Sequence, residues 1–164
     1  LHRLIRRQRQ MCIRDRGRLP GIDGNAKMSK SLGNGIYISD DTDTMAKKIK
    51  SMYTDPLHIN IADPGHIEGN VVFTYLDIFD PDKQRVQDLK DHYTAGGLGD
   101  MKLKKHLIDV MEAEMAPIRQ RREAYAQDIP AVLRMLEEGS RRANVVAEST
   151  MKDVRHAMGI DYFG

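Results

Sequence analysis

Recurring helix start and stop signals between residues 40 and 159 favour helices for most of this part of the chain. Each periodic apolar segment follows a residue whose side chain can accept a hydrogen bond from a free backbone amide at a helix N-terminus. The predicted N-caps are Ser39 or Asp40, Asn70, Asp80, Asp100, Asp128 and Ser140. Apolar residues then recur three and four positions apart, which is typical of the buried face of an amphipathic helix. We therefore predict one helix after residue 40 and an all-helical bundle over residues 70 to 159.

Glycine and proline set the predicted ends of these helices. Gly96 and Gly159 follow two of the periodic segments, as C-terminal caps commonly do. Pro117 lies inside the longest segment and should kink or restart it, because proline has no amide to donate. A stop at Gly139 followed by a cap at Ser140 should divide the C-terminal segment into two helices.

Three shorter segments have local patterns of their own. The apolar run VVFTYLDIF, residues 71 to 79, does not distinguish a helix from a buried strand by periodicity alone, although the spacing of its large side chains favours a helix. Residues 56 to 69 contain many turn-forming residues and no sustained period, which predicts a loop. The segment GIYIS, residues 35 to 39, is compatible with a short extended segment leading into the first helix.

Composition excludes several classes of protein. The chain has 164 residues, enough for one ordinary domain or for a small domain with part of another. It has no apolar run near the length that spans a bilayer, so we predict no membrane association. A single cysteine, Cys12, excludes an internal disulfide and fits a reducing, cytoplasmic setting. No metal-ligand pattern is complete, so no metal site is predicted. The ten methionines mostly occupy apolar stripes and are predicted to be core residues.

The positive charge is concentrated at the start of the chain. The formal net charge is +2, but residues 1 to 18 contain seven arginines, no lysine and one aspartate, which leaves −4 for the other 146 residues. Any contact with RNA must therefore be a local patch. We interpret residues 1 to 17 as a foreign or disordered segment, because their composition differs sharply from that of the rest. A basic targeting or RNA-binding arm is the alternative.

The stretch GNAKMSKSLGN, residues 24 to 34, places two lysines and two serines between glycines. Lysine carries a compact charge on a flexible stem, which suits polyphosphate oxygens that move during a reaction. The hydroxyls of Ser29 and Ser31 add donors, and the flanking glycines permit the loop to move. The pattern is that of a loop closing over a phosphate chain. A solvated basic turn is the alternative that the residues alone leave open.

The five residues KMSKS, at positions 27 to 31, resemble the signature loop of class I aminoacyl-tRNA synthetases. Five contiguous matches are more specific than a spaced glycine pattern, and the flanking sequences narrow the resemblance. The matching sequences are RLPGIDGNAKMSKSLGNGIYISDD, IKSMYTDP, GHIEGNVVFTYLDIF, GGLGDMKLKKHL, APIRQRREAY and VRHAMGIDYF. Together they are similar to the bacterial tryptophanyl-tRNA synthetases over residues 18 to 163.

The resemblance implies a reaction and a set of site residues. In that family, the loop stabilises the pyrophosphate of ATP, with Mg²⁺, while the carboxylate of L-tryptophan attacks the α-phosphorus; the tryptophanyl adenylate then acylates tRNA(Trp). The implied ATP-site residues are Leu19, Lys27, Met28, Ser29, Lys30 and Ser31. Lys27 and Lys30 are the implied catalytic cations, because positioned positive charges neutralise the charge that develops in such a transition state.

The resemblance also implies a division of the chain and a fold class. Residues 18 to 39 correspond to the end of a Rossmann-type α/β nucleotide-binding domain, and residues 40 to 164 to an α-helical connecting and anticodon-binding bundle, so the implied fold is mainly α. The family's HIGH-type motif and tryptophan pocket have no counterpart before residue 18. The chain therefore resembles a C-terminal fragment that is inactive alone, and the full-length protein is implied to be a homodimer.

Basic residues of the helical region are candidates for binding the anticodon arm. They are Lys102, Lys104, Lys105, Arg119, Arg121 and Arg122. Both groups lie near predicted helix starts, where positive charge opposes the helix dipole and is not placed for helix stability. Solvated helix faces are the alternative explanation. A different interpretation of the whole chain is a freestanding helical RNA-binding module whose phosphate loop is vestigial.

Overall fold

The computed structural model of the chain describes residues 19–24, 27–160 and 162, and the prediction for residues 1 to 17 lies outside these ranges. Within them the chain forms five helices and no strand, which confirms a mainly helical fold. The helices are α1 (Thr42–Lys50), α2 (Val71–Phe79), α3 (Lys83–Ala95), α4 (Asp100–Ala126) and α5 (Ile129–Met158). The chain divides into two compact units, a first unit that ends at Arg119 and a second unit that begins at Gln120.

The N-terminal caps of α1 and α2 follow local side-chain chemistry. Asp41 caps α1 by accepting a hydrogen bond from the Thr44 amide at 2.6 Å, so the predicted cap at Ser39 or Asp40 is wrong by one or two residues. Asp40 instead accepts from Lys48 Nζ at 2.6 Å. Asn70 caps α2 as predicted, with its Oδ1 accepting from the Val72 amide. The apolar segment after Asn70 is therefore a helix and not a strand.

The cap of α3 lies two residues later than predicted. Asp82 accepts from the Arg85 amide at 3.0 Å and caps the helix, whereas Asp80 is buried. The Asp80 carboxylate accepts from the Asp82 amide at 2.9 Å and lies 2.7 Å from His106 Nε2 of α4. Asp80 is thus committed to a contact between two helices, which leaves the next aspartate to cap α3. Gly96 ends α3 as predicted.

The two longest helices continue through the predicted breaks. Pro117 lies inside α4, which is not interrupted there. Proline removes one main-chain bond, but Pro117 and Ala113 are both exposed, so water can satisfy the carbonyl that loses its partner. Helix α5 likewise continues through Gly139 and Ser140, because each costs at most about 1 kcal/mol in a helix of good formers. Asp128 caps α5, and Gly159 ends it with φ +65°.

The hydrophobic core lies in the first unit. Its buried apolar side chains are Met45, Ile49, Met52, Val71, Val72, Phe73, Tyr75, Leu76, Val86, Tyr93, Leu98, Leu103, Leu107 and Met111. Phe73 meets Tyr93 edge to face, with ring centroids 5.3 Å apart. The core thus joins α1, α2, α3 and the first turns of α4, and it provides the support for the segment that precedes α1.

Helix α5 of the second unit has no buried residue. Several of its apolar side chains, such as Leu133 and Val146, are more than half exposed. Three methionines are buried in the described part of the chain, and all three lie in the first unit. The prediction that the methionines are mostly core residues is therefore wrong for α5, whose methionines are exposed.

Candidate functional site

Main-chain hydrogen bonds close the base of the lysine loop, which we define as residues 27 to 33. The Ile22 amide donates to the Asn34 carbonyl at 2.8 Å and so joins the segments before and after the loop. Pro20 and Lys27 add an isolated antiparallel bridge. The predicted extended segment at residues 35 to 39 forms no strand. The loop therefore returns to its own starting point before the chain enters α1.

Two tyrosines attach this base to the helical part of the first unit. The Tyr75 hydroxyl of α2 donates to the Pro20 carbonyl at 2.9 Å, and the Tyr53 amide donates to the Ile22 carbonyl at 2.8 Å. Burial raises the pKa of Tyr75 to about 12, so its phenol keeps the proton that it donates at neutral pH. Leu19 and Ile22 also pack against the core. The position of the base is thus set by the helical core.

Asn34 connects the base to the loop with its side chain, and sequence reasoning missed it. Its Oδ1 accepts from the Ser29 amide at 2.8 Å. Its Nδ2 donates to the Lys27 carbonyl at 3.3 Å and to both carboxylate oxygens of Asp23, at 3.2 and 3.1 Å. Only 4% of Asn34 is exposed. An asparagine after a glycine normally indicates a turn, so the sequence carried no sign of these contacts.

Lys27 and Lys30 are both exposed, and no carboxylate of the described residues pairs with either ammonium group. The hydroxyls of Ser29 and Ser31 lie 2.9 Å apart. Met28, by contrast, is half-buried and packs against the core. The structure thus brings the five residues of the predicted KMSKS site together on one loop, with the two cations and Ser31 in contact with solvent and Met28 as an anchor.

Leu19, the sixth predicted ATP-site residue, is half-buried against the hydrophobic core. It precedes Pro20, whose carbonyl is held by Tyr75. This places Leu19 at the base of the lysine loop, and its contact with an adenine stays a prediction.

One of the predicted RNA-binding residues is engaged inside the protein. Lys104 is 8% exposed, and its Nζ donates to the Lys50 carbonyl at the end of α1 at 2.9 Å. Burial lowers the pKa of the Lys104 ammonium below its usual range, and the nearby Asp100 carboxylate opposes part of that shift. The structure therefore commits Lys104 to a contact inside the first unit, which argues against the predicted contact with RNA. Its neighbours Lys102 and Lys105 are exposed.

Arg119 also has partners within the first unit. Its guanidinium forms an ion pair with Glu112 and donates to Thr42 Oγ1 at 3.1 Å. The hydrogen bond from Arg119 holds the pKa of the Glu112 carboxyl below its usual range. Arg119 thus joins α4 to the first residue of α1. Arg121 and Arg122, in the second unit, are exposed.

Asp100, predicted only as a helix cap, is the centre of a polar cluster. Its carboxylate accepts from Thr54 Oγ1 at 2.6 Å and from the Tyr93 hydroxyl at 2.8 Å, and it lies 3.2 Å from His58 Nδ1. Burial and the neighbouring Asp100 raise the pKa of Tyr93 well above its usual range. This cluster holds the loop of residues 56 to 69 against the start of α4.

A second carboxylate joins the start of that loop to its later part. Asp55 accepts from the amides of Leu57 and His66 at 2.9 and 2.8 Å, and from His66 Nδ1 at 2.7 Å. Burial acts to raise the pKa of Asp55, but these hydrogen bonds outweigh it and lower the pKa. His66, an exposed residue of the predicted loop, thus pairs with a carboxylate.

No group of three or more His, Cys, Asp or Glu side chains within the described ranges is arranged to hold a metal ion. None of the five helices is long and apolar enough to cross a membrane.

A family model described as tRNA synthetases class I (W and Y) matches residues 2–116. The tryptophan–tRNA ligase of Streptococcus pyogenes serotype M3 (strain ATCC BAA-595 / MGAS315) is 62% identical over 149 residues, which are 90% of this chain and 44% of that protein. The tryptophan–tRNA ligase of Clostridium longisporum is 55% identical over 147 residues. The chain thus spans less than half the length of the curated relatives it matches.

A solved structure has a similar fold. Tryptophanyl-tRNA synthetase from Campylobacter jejuni, complexed with ADP and tryptophan, aligns with a TM-score of 0.72 and 26% sequence identity. The alignment covers 87% of this chain and 44% of that one. Similarity therefore extends over both sequence and three-dimensional structure.

Proposed function

Because the chain belongs to the class I tRNA synthetases of the W and Y family, we propose that it is the C-terminal part of a tryptophan–tRNA ligase. The relatives that resemble it at more than half of aligned positions carry that name, which favours tryptophan over tyrosine as the substrate. The whole enzyme would join L-tryptophan to tRNA(Trp) in two steps, with ATP as the energy source. In this assignment it acts in the cytoplasm, as a homodimer.

The observation that carries the proposal is the pair of exposed ammonium groups on a loop with a fixed base. In the first step, a carboxylate oxygen of tryptophan bonds to the α-phosphorus of ATP and the bond to the bridging oxygen of pyrophosphate breaks. Negative charge then grows on the leaving pyrophosphate. Lys27 and Lys30 would neutralise that charge, and neither has a carboxylate partner, within the described part of the chain, from which it would have to be freed.

The remaining loop residues have supporting tasks in this proposal. Ser29 and Ser31 present hydroxyls beside the two lysines and can donate to phosphate oxygens. Met28 anchors the loop through its contact with the core. Leu19 would lie beside the adenine. Tryptophan–tRNA ligases use Mg²⁺ with ATP. Here the phosphates of ATP would bind the ion, because the lysine loop offers no carboxylate ligand for it.

The exposed basic residues are the proposed contacts for tRNA. On the first unit these are Lys102 and Lys105 at the start of α4, and on the second unit they are Arg121 and Arg122. None of the four makes an ion pair with another described residue, so each is available to a phosphate. Residues 18 to 39 are assigned to the end of the Rossmann-type catalytic domain and residues 40 to 164 to the helical connecting and anticodon-binding domain.

A chimeric ligase tests the proposal. Residues 19 to 164 of this chain would replace the matching segment of the S. pyogenes tryptophan–tRNA ligase, which is 62% identical. We expect tryptophan-dependent exchange of pyrophosphate into ATP and charging of tRNA(Trp), and we expect the K27A/K30A variant of the chimera to lose both. A folded chimera that exchanges no pyrophosphate would refute the proposal. A chimera that binds tRNA but needs neither lysine would favour the freestanding RNA-binding module.

A further inference from the structure

We propose that Asn34 is a positioning residue for the lysine loop, one whose carboxamide fixes the backbone on which Lys27 and Lys30 stand. The inference rests on the proposed function, because it concerns how the two phosphate-binding cations are held. Asn34 itself touches no phosphate in this proposal. It acts through the loop residues to which it is hydrogen-bonded.

The contacts of Asn34 fall on both sides of one residue of the loop. The Lys27 carbonyl and the Ser29 amide flank Met28, and the Asn34 carboxamide binds both of them, at 3.3 and 2.8 Å. The backbone is thereby fixed on either side of Met28. Lys27 lies at the first of these bonds, and Lys30 follows directly after the second. A single side chain therefore restrains the backbone between Lys27 and Ser29, the residue directly before Lys30.

A carboxamide is the side-chain group that this position requires. One partner, the Ser29 amide, is a donor, and the other two, the Lys27 carbonyl and the Asp23 carboxylate, are acceptors. Asparagine offers an acceptor and two donor hydrogens on one short stem, whereas an aspartate would accept only. The bond to Asp23 is assisted by charge, which makes it stronger than a bond between neutral groups. At 4% exposure these bonds compete little with water.

Gly21 supplies independent support, because its missing side chain makes room for this carboxamide. A Cβ at residue 21 would lie 2.3 Å from Asn34 Nδ2 and 2.7 Å from Asn34 Cγ. Both distances are far below van der Waals contact, so any larger residue would displace Asn34. The turn that carries Asp23 is thus shaped around the Asn34 side chain.

The test measures binding of inorganic tripolyphosphate to the 164-residue chain by NMR, following the backbone amides of residues 27 to 31. The N34A variant should bind tripolyphosphate about threefold to tenfold more weakly, which is the effect of losing one hydrogen-bond network that orders the lysines. In a K27A/K30A background the same substitution should have a much smaller effect, because the phosphate contacts that Asn34 positions are chiefly those of the two lysines. The Ser29 amide should also exchange its hydrogen faster in N34A.

Further variants separate positioning from a general loss of structure. N34D places a second carboxylate against Asp23 and should weaken binding, whereas D23N/N34D exchanges donor and acceptor and should recover part of it. G21A should weaken binding by displacing the carboxamide, and G139A, where a Cβ meets nothing within 4 Å, is its matched control. If N34A does not fold, D23A removes one partner of the carboxamide at an exposed residue and should weaken binding in the same direction.

The outcomes distinguish this inference from the proposed function. If the wild-type chain does not bind tripolyphosphate, or K27A/K30A binds it equally well, the phosphate role of the loop fails and the positioning role fails with it. If the lysines matter but N34A changes nothing, or weakens binding equally with and without them, only the positioning role of Asn34 is refuted.

Discussion

Replacing Lys104 with alanine should destabilise the first unit and leave tRNA binding unchanged. The structure places this lysine under the end of α1, where its ammonium group donates to the Lys50 carbonyl. That carbonyl is one of the four that an α-helix leaves without a main-chain partner at its C-terminus. Lys104 thus completes α1 from a neighbouring helix, and its removal should be felt in folding.

The expected loss follows from the atoms removed. K104A deletes three buried methylenes, worth about 0.8 kcal/mol each, or about 2.4 kcal/mol together. It also deletes a hydrogen bond from a charged donor, worth about 1.5 to 3 kcal/mol. Alanine avoids the entropy cost of ordering the lysine side chain on folding, which offsets about 2 kcal/mol of this loss. We therefore expect the free energy of unfolding to fall by about 2 to 3 kcal/mol. K104M keeps an apolar side chain of similar length and loses chiefly the hydrogen bond, so its free energy of unfolding should fall by less than that of K104A.

The pH dependence gives a second, independent signature. Burial lowers the pKa of folded Lys104 below the ordinary value of 10.5. At a pH between the pKa of Lys104 in the folded state and its pKa in the unfolded state, the folded state binds fewer protons. The contribution of this lysine to the free energy of unfolding therefore becomes more favourable as the pH rises. The stability difference between the wild-type chain and K104M should accordingly shift in favour of the wild type as the pH approaches 10.5.

Urea unfolding followed by near-UV circular dichroism is the appropriate assay. The chain has no tryptophan, and two buried tyrosines, Tyr75 and Tyr93, lie in the first unit and report on its packing. K105A, at the exposed neighbouring position, is the matched control and should change the free energy of unfolding by less than about 0.5 kcal/mol. Equal stability of K104A and K105A would refute the reasoning, as would a loss of tRNA affinity in K104A without a loss of stability.

Three further predictions concern activity. The 164-residue chain alone should give no tryptophan-dependent pyrophosphate exchange, because phosphate-binding cations without an amino-acid site cannot orient two reactants; exchange well above the no-enzyme background would contradict this. In the chimeric ligase, K30A should lower the kcat of activation by about a hundredfold or more and change the KM for ATP less, since the charge it neutralises is greatest in the transition state; an unchanged kcat with a raised KM would assign Lys30 to ground-state binding only. R121Q/R122Q in the chimera should raise the KM for tRNA(Trp) and weaken its salt dependence while sparing pyrophosphate exchange, and unaffected charging at physiological salt would return both arginines to the role of solvated surface residues. R119Q is its control: it removes the partner of Glu112 and should lower stability more than tRNA affinity.

Local signals predicted the helices well where one residue decides the outcome. Asn70 is the single capping residue before an apolar run, and both the cap and the helix agree with prediction. The errors at α1 and α3 arise where several aspartates follow one another. Asp40 pairs with Lys48 and Asp80 pairs with His106. A later aspartate therefore caps each of these two helices. Those partners are distant in sequence, so the local pattern does not identify them.

The burial of Lys104 and Asn34 was not predicted for the same reason, because their partners are not identified by the local sequence pattern. Lys104 stands three and seven positions before Leu107 and Met111, on the apolar face of α4, and that spacing was the available sign of its burial. Its charge nevertheless grouped it with Lys102 and Lys105. Asn34 gave no comparable sign, because its partners are set by how a turn and a loop meet. The five KMSKS residues are contiguous, so the sequence alone places them on one segment, and their role at a phosphate site stays a prediction.

The hydrogen bond between Ile22 and Asn34 limits how far Lys27 and Lys30 can extend from the base of the lysine loop. Eleven residues separate this pair in the sequence. An extended chain spans at most about 3.5 Å per residue. The backbone of a loop closed by this hydrogen bond can therefore extend no more than about 20 Å from it. If the two lysines bind ATP as proposed, its phosphates must lie within about 20 Å of this hydrogen bond plus the length of a lysine side chain. Inserting residues between Ile22 and Asn34 would increase the distance that the loop can reach, and breaking the hydrogen bond would remove this limit.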